Sequence, residues 1–395
     1  MLVKKSHMIT IFITIAIFHL LFIKINYLYY QDYRQIKILC LSIAILLLLT
    51  KIKILVLKQW RFINLFVFLL ALTIVYSSYI NRYFKSSDTV TSDLLAFGLI
   101  ALFWLVEYSI QNKTTSILLK TIFACSFIYC LITDILWFIN PTVYGEANSF
   151  FIGNKFDVSY LHFWMATSYL LYLKVENSFK RKFYIALYMW AICVAIISEC
   201  TTAVVGCGVF ILLFCFRRQV EHIIRKPLSV VIALLFFNSI LIVNSAILSA
   251  PPINYFIVNI LGEDVGLTGR VGIYQKALAT ILGSPLWGYG YENNYTVSVN
   301  YIGAANIQNG ILDCVMSYGI MGTLILLLII IMLIKQNRKS IPYTIMVVLY
   351  VYIVISSVEI AFNGWFFACV SFLLLKEKNI FLHDDNININ REFEV

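Results

Sequence analysis

The residues with the clearest chemical potential lie in one stretch, 267–322, which combines an arginine, clustered glycines and neutral amides. The planar guanidinium of Arg270 can donate two parallel hydrogen bonds to a phosphate or pyrophosphate, and it keeps its charge. Gly288 and Gly290, on either side of Tyr289, allow backbone amides to approach a bulky ligand closely. The stretch therefore predicts an anion-binding site, with contact between Arg270 and lipid headgroups as the alternative.

Further polar residues extend this candidate site. Lys276 and Arg270 are the two basic residues in the long segment 249–305, so a substrate anion would be drawn to either. Glu292 is a carboxylate in the same segment and a candidate general base. The amides that follow complete the set: Asn306, Gln308 and Asn309.

Two polar islands lie earlier in the chain. Asn154 and Lys155 follow Gly153 at the start of an apolar segment, where they would form either a polar lip of an active site or an ordinary solvated loop. Glu199 lies in a run of hydroxyl and thiol side chains, 198–202, between two short apolar segments. It could position a base or accept hydrogen bonds from a hydroxylated substrate; alternatively, this run caps the following helix.

The composition is that of a polytopic membrane protein, for which we expect an all-α fold. Of 395 residues, 61% are hydrophobic and 13% charged, and the mean hydropathy is +0.86. A membrane-spanning helix needs about 20 mostly apolar residues. About twelve segments qualify: 9–28, 36–50, 62–80, 94–110, 117–139, 158–173, 183–198, 201–216, 227–248, 306–334, 341–358 and 360–375.

The distribution of basic residues predicts the orientation of these helices. Placing both termini in the cytoplasm assigns 22 of the 30 lysines and arginines to the inside and 8 to the outside, as the positive-inside rule requires. The net charge of +10 thus reflects the basic residues of the cytoplasmic loops, which could also contact anionic lipids. It gives no reason to expect nucleic acid as a partner. The expected location is a bacterial plasma membrane.

The chain divides into three predicted regions. Residues 1–140 read as scaffold helices, 141–375 as the catalytic transmembrane region, and 376–395 as a cytoplasmic tail. Segment 249–305 is predicted to be a large external loop with two short helices, one on the membrane surface over 253–260 and the second over 271–282. Two intramembrane carboxylates, Glu107 and Asp134, could serve function or structure.

Several kinds of chemistry are disfavoured by the motifs. The glycines at 283 and 288 have Walker-like spacing, but Tyr289 follows instead of lysine and a hydroxyl residue. The sequence contains neither HExxH nor CxxC, which argues against a protein-bound zinc ion. We therefore expect neither a metal nor any other cofactor.

Taken together, these motifs resemble the O-antigen polymerase and ligase superfamily. The resemblance rests on Thr268-Gly269-Arg270, the turn 285–290 (PLWGYG), and Gln308-Asn309-Gly310 leading to a second glycine pair at 319 and 322. Phe151–Lys155 and Ser198–Thr202 are similar to marks of the capsule and exopolysaccharide polymerases. The likeness covers most of residues 145–325, with the external face as the expected location of the active site.

The resemblance implies polymerisation of oligosaccharide repeat units carried on undecaprenyl pyrophosphate at the outer face of the membrane. Arg270 would bind the pyrophosphate and stabilise it as it leaves. The implied partners are the lipid-linked oligosaccharide, membrane lipids, a flippase and a chain-length regulator. Glu199 and Gln308 would complete the catalytic set, and the other polar and glycine residues named above would contact the substrate.

One departure from the family pattern concerns Gln308. Ligase-like members typically have a histidine at this position, and a neutral amide cannot act as a general base. Either Glu199 or Glu292 takes that role, or leaving-group stabilisation and positioning suffice. The departure favours a polymerase over a ligase. A lipid-linked oligosaccharide flippase is the other alternative, but a flippase would be expected to have short loops throughout.

Overall fold

A computed structural model of the chain describes residues 2–28, 30–50, 61–84, 90–145, 149–176, 181–243, 255, 259, 270–291 and 293–376. Over these residues the chain forms fifteen α-helices, and the only β-pairing found there is an isolated bridge between Ile25 and Ile152. The all-α class predicted from the composition is confirmed for this part of the chain.

The helices are numbered in chain order. They are α1 (Leu2–Leu21), α2 (Tyr30–Leu49), α3 (Arg61–Ile80), α4 (Val90–Gln111), α5 (Thr115–Ile139), α6 (Lys155–Val175), α7 (Arg181–Ile197), α8 (Thr201–Cys215), α9 (Arg217–Ile224), α10 (Pro227–Val243), α11 (Arg270–Ile281), α12 (Asn293–Val297), α13 (Gly310–Asn337), α14 (Tyr343–Ile355) and α15 (Gly364–Phe372). A 3₁₀ turn, Arg82–Phe84, follows α3, and a π-helical turn, Ser298–Ile302, follows α12.

Four described helices are long and apolar enough to cross a membrane: Phe62–Ile80, Val90–Gln111, Thr115–Ile139 and Gly310–Asn337. Together α8 and α9 would make a fifth, although they meet at a bend of 104°. Each of the twelve predicted spans overlaps a helix, but several of these helices are shorter than the about 20 residues a span needs. Multi-pass membrane character is thus supported, while the count of twelve and the orientation stay predictions.

The last two helices are the shortest of the overlapping set. With 13 and 9 residues and a rise of about 1.5 Å per residue, α14 and α15 are about 20 and 14 Å long. Neither helix alone matches a hydrocarbon core about 30 Å thick. The hairpin between them, residues 356–363, carries the polar residues Ser356, Ser357, Glu359 and Asn363.

An aromatic stack holds this C-terminal hairpin in the core. The Trp365 ring of α15 lies between Phe22, with ring centroids 4.2 Å apart, and Trp164 of α6, 5.3 Å away. The Trp164 indole N–H donates a 2.7 Å hydrogen bond to the Tyr352 hydroxyl of α14. Since all of these side chains are buried, the stack ties α6, α14 and α15 to the end of α1.

Helix α13 is broken at Gly319, which the sequence did not predict. Gly319 has φ 68° and ψ −179°, a region of backbone conformation that is essentially restricted to glycine. The turn 284–290 docks into the break: the Ile320 amide donates to Pro285 O at 2.9 Å, and the Tyr289 amide donates to Met316 O at 2.6 Å. The backbone groups freed by the break are thereby satisfied.

The end of α3 forms the other wall of this turn. Asn81 donates through Nδ2 to Gly288 O at 3.0 Å, and Ser77 donates through Oγ to Ser317 O at 3.0 Å. A Cβ on Gly290 would lie 2.6 Å from the Cα of Ser78. The turn is therefore clamped between α3 and α13.

Three helices begin with a capping asparagine. Asn154 accepts from the amides of Phe156 and Asp157 at the start of α6 and forms a capping box with Asp157. Asn309 accepts from the Leu312 amide at the start of α13, and Asn363 caps α15. Asparagine at this position satisfies amides that have no intrahelical partner.

Both intramembrane carboxylates have partners on neighbouring helices. Asn64 donates through Nδ2 to Glu107 Oε2 at 3.1 Å, which joins α3 to α4. Asp134 Oδ2 accepts from the Trp190 indole at 2.7 Å and lies 3.2 Å from His162 Nε2. These contacts join α5, α6 and α7 and give both residues an interhelical structural role.

The described part of the predicted external loop contains helices α11 and α12, joined by the turn 284–290. The helix predicted over 271–282 is confirmed as α11, Arg270–Ile281. The surface helix predicted near 253–260 lies outside the described residues except for positions 255 and 259.

Candidate functional site

The candidate site is organised around the buried side chain of Tyr274 in α11. Its hydroxyl donates to the carbonyl oxygens of Gln308 at 3.0 Å and Ser357 at 3.1 Å, and the residue is 1% exposed. One hydroxyl therefore joins α11, the start of α13 and the α14–α15 hairpin. Arg270, four residues earlier, is the first residue of α11, and its side chain lies outside the described part of the structure.

Gln308 occupies a special backbone position next to this joint. Its φ of 53° is left-handed, which is uncommon outside glycine, asparagine and aspartate. The Asn306 side chain stabilises this turn, because its Oδ1 accepts from the Gln308 amide at 3.0 Å. Left-handed non-glycine residues often mark functional sites, and Gln308 keeps a half-buried side chain there.

Asn309 holds the start of α13 in place. It is fully buried, and besides capping α13 its Nδ2 donates to Asn238 O at 3.3 Å and to Ser357 O at 3.4 Å. The Gly310 amide donates to Ser356 O at 2.7 Å. Asn309 is therefore a positioning residue in this structure, and its contact with substrate stays a prediction.

The second predicted island forms around the turn between α7 and α8. Glu199 is exposed with a φ of 53°, and its carbonyl accepts from Lys155 Nζ at 3.1 Å. Ser198 Oγ lies 3.3 Å from Ser159 Oγ of α6. Cys200 is the N-cap of α8 and makes no side-chain cap, so the polar residues of this turn hold it against α6 instead of capping α8.

A buried carboxylate outside the predicted set lies in the α14–α15 hairpin. Glu359 is 6% exposed, and its Oε1 accepts from the Ile360 amide at 3.0 Å. It interacts electrostatically with Tyr160 on α6, Cys200 in the α7–α8 turn and Asp313 on α13.

Asp313 lies one turn into α13 and is bound by Asn294. Asn294 donates through Nδ2 to Asp313 Oδ1 and, at 3.0 Å, to Ser317 Oγ. The amide oxygen of Asn294 is buried with no hydrogen-bond partner within the described part of the chain.

The glycine turn and Lys276 lie farther along the same segment. A Cβ on Gly288 would lie 2.6 Å from Met316 O, and the Tyr289 hydroxyl donates to Thr280 O at 2.8 Å. Burial raises the pKa of that hydroxyl. Lys276 is exposed and donates to Ile302 O at 3.3 Å. Close packing explains why Gly288 and Gly290 are glycines. Contacts of Gly288, Tyr289, Gly290 and Lys276 with a substrate stay predictions. The role of Glu292 also stays a prediction, because this residue lies outside the described residues.

An apolar groove begins beside the start of α13. It has a volume of about 60 Å³ and lies between α10, α13 and the start of α15. Ile311, Phe362 and Leu234 are among its lining residues, and Thr323 contributes the one hydroxyl. One turn beyond Leu234 on α10, Asn238 donates to Ser356 Oγ at 3.0 Å.

Sequence reasoning missed four residues of this arrangement: Tyr160, Asn294, Asp313 and Glu359. Glu359 had a readable signal, because it lies in a polar island, 356–363, between two apolar segments. Tyr160 had none, since only the packing of α6 shows that its hydroxyl is buried. Among the described residues, no group of three His, Cys, Asp or Glu side chains could hold a metal ion.

The fold and the site define a helical, multi-pass membrane protein in which amide and hydroxyl groups join α11, the start of α13 and the α14–α15 hairpin. Comparison of the chain with protein-family models, curated proteins and solved structures finds no match.

Proposed function

We propose that this protein polymerises oligosaccharide repeat units carried on undecaprenyl pyrophosphate at the outer face of a bacterial plasma membrane. A hydroxyl oxygen of the acceptor unit bonds to the anomeric carbon of the donor glycan. The bond between that carbon and the pyrophosphate oxygen breaks, the lipid pyrophosphate leaves with the electron pair, and the proton of the acceptor hydroxyl is released to water. The energy of the donor bond drives the transfer, so the reaction requires no nucleotide sugar.

The observation that carries this proposal is the junction at Tyr274. It brings the helix that begins at Arg270 against Gln308 and the α14–α15 hairpin, which are distant in sequence. A phosphate at the start of α11 would meet the amides of a helix N-terminus as well as an arginine. This combination suits a pyrophosphate better than it suits a neutral ligand.

The chemical roles follow from the types of side chain. Arg270 binds the pyrophosphate and stabilises the negative charge that develops as it leaves. Lys155, at the start of α6, and Lys276, on α11, would supply further positive charge for the anionic donor. The apolar groove beside Gly310 is suited to a hydrocarbon chain, which is consistent with a lipid-linked donor.

The test is to delete the gene and to complement the deletion with wild-type, Arg270→Lys and Arg218→Lys chains. Arg218 is exposed on α9, so the same exchange there serves as the matched control. Arg270→Lys should largely abolish polymer while the protein still inserts, because a lysine cannot form the bidentate contact. Arg218→Lys should restore polymer of normal length.

The lipid-linked material of the deletion strain separates the possible functions. Single repeat units exposed outside the membrane indicate a lost polymerase, and units trapped inside indicate a lost flippase. Normal polymer that is no longer attached to its final acceptor indicates a lost ligase. Polymer of normal length from the Arg270→Lys variant would refute the assignment.

A further inference from the structure

The starting observation is the sharp bend between α8 and α9. The two helices meet at 104°, so α9 runs across the end of α8. All of α8 is uncharged, whereas α9 begins with two arginines. A charged helix that turns away at this angle from an apolar one has the arrangement of a helix lying along a membrane surface.

The side chain of Arg225 fixes the end of α9 against the end of α13. Its Nη1 donates to Ile341 O at 2.7 Å and to Arg338 O at 3.2 Å, and its Nη2 donates to Glu221 Oε1 at 2.6 Å. Arg225 is buried in these contacts. Because α13 is long and apolar enough to cross a membrane, its last turn and the adjoining α9 lie at the level of the lipid headgroups.

Basic side chains surround this contact. Residues 225–226 and 335–339 contain five lysines and arginines and no carboxylate. Arg225 is paired with Glu221. The other four are exposed and form no ion pair with another residue that the structure describes. They define the basic surface: Lys226, Lys335, Arg338 and Lys339.

Apolar side chains are exposed beside the basic surface. Phe216, the residue before α9, is 52% exposed, Ile223 on α9 is 46% exposed, and Leu228 in the first turn of α10 is 67% exposed. The opposite face of α9 packs on the bundle, where Ile224 is buried. Basic and apolar groups that are exposed together fit a ligand with an anionic headgroup and hydrocarbon chains.

We propose that the basic surface binds anionic phospholipids of the bilayer. The lipid phosphate lies between α9 and the end of α13, where Lys226 and Arg338 meet it, and the acyl chains contact Phe216 and Ile223. A soluble polyanion such as a nucleic acid would leave these apolar side chains in water, which favours a lipid. The binding does not depend on the proposed function, because no residue of the basic surface takes part in glycan transfer.

The test compares two lipids that carry the same acyl chains, anionic phosphatidylglycerol and zwitterionic phosphatidylcholine. The full-length protein is purified in a neutral detergent and titrated with each lipid, and native mass spectrometry measures the dissociation constants. The ratio of the two constants is the preference for the anionic lipid. Inorganic phosphate is added in parallel to determine whether an anion alone occupies the surface.

Lys226→Gln/Arg338→Gln removes two charges from the basic surface. It should lower the preference about 5- to 25-fold, because each basic residue near a membrane surface contributes about 5-fold. Lys335→Gln/Lys339→Gln, with the same expected loss, is a second test at the end of α13. Lys226→Arg/Arg338→Lys keeps the charges and should keep the preference. Ile223→Gln should weaken the binding of both lipids alike, since it removes an apolar contact and no charge.

The matched control is Lys5→Gln/Lys120→Gln. It removes the same number of charges from exposed positions in α1 and α5, so it should keep the wild-type preference. Equal affinity of the wild type for both lipids would overturn the proposal. An equal loss of preference in the control would also overturn it, because the net charge of the protein would then be responsible. Displacement of phosphatidylglycerol by millimolar inorganic phosphate would show an anion site that does not require a lipid.

Discussion

Replacing Gly319 by alanine tests whether the turn 284–290 is docked into a broken α13. An alanine Cβ at this position would lie 2.1 Å from Leu286 O and 2.5 Å from the Trp287 amide nitrogen. Both are backbone atoms, so no side-chain rotation relieves the overlap. The turn must move away, or α13 must change its path.

The expected cost has two parts. Holding a non-glycine residue at φ 68° and ψ −179° costs about 1–3 kcal/mol. Displacing the turn breaks the bonds from the Ile320 and Met321 amides to Pro285 O and Leu286 O, at about 0.5–1.5 kcal/mol each. The total is about 2–6 kcal/mol, a large fraction of the stability of an ordinary domain.

The assay is thermal unfolding of the purified protein in detergent micelles, followed by circular dichroism. Gly208→Ala in α8 is the matched control, because nothing lies within 4 Å of the Cβ it would carry. That exchange should raise helix stability by about 0.5–1 kcal/mol. An unfolding midpoint for Gly319→Ala equal to that of Gly208→Ala would show that the docked turn does not impose the break.

Two further predictions concern other contacts. Tyr274→Phe should lower the free energy of unfolding by about 1–3 kcal/mol, because two buried carbonyls lose a donor. The control is Tyr295→Phe, since Tyr295 is exposed. Equal losses of stability in both variants would contradict the role of Tyr274. Burial acts to raise the pKa of Glu221, but hydrogen bonds from Arg217 and Arg225 lower it overall. This contact therefore contributes stability above the unfolded pKa of about 4.3, and the contribution disappears as the pH falls through the folded pKa. The unfolding midpoint of the wild type should therefore fall as the pH is lowered from neutral to acidic, and Glu221→Gln should reduce this fall. If the midpoint of Glu221→Gln falls as steeply as that of the wild type, Glu221 is not the source of the pH dependence.

The sequence was sufficient to predict the features that depend on local patterns. Apolar runs marked the position of a helix in every predicted span, and the start of α11 at Arg270 agrees with the prediction for 271–282. The asparagine caps of α6 and α13 were not predicted, although Asn154 with Asp157 has the spacing of a capping box, which is a local signal. Local patterns predict these features because each depends on residues within one helical turn.

Features that depend on distant parts of the chain were missed. The break at Gly319 requires the turn 284–290 as its partner, and a glycine within an apolar run gives no sign of that partner. The burial of Glu359 depends on how the α14–α15 hairpin packs into the bundle, which no local pattern shows. Helices α14 and α15 are also shorter than the apolar runs 341–358 and 360–375 that predicted them, because α14 ends before Ser356 and α15 begins only after its cap, Asn363.

The aromatic stack beneath the site has a consequence for the order in which the protein is assembled. Phe22 and Trp365, stacked at 4.2 Å, are 343 positions apart (365 − 22). During synthesis from the N-terminus, the end of α1 must wait for nearly the whole chain before its ring partner emerges. Helices as short as α14 and α15 give weak signals for independent membrane insertion, so the preformed surface of Phe22 and Trp164 would act as their template. The C-terminal hairpin, which carries Glu359, would then complete the bundle last, so that the site forms only after the rest of the protein is in place.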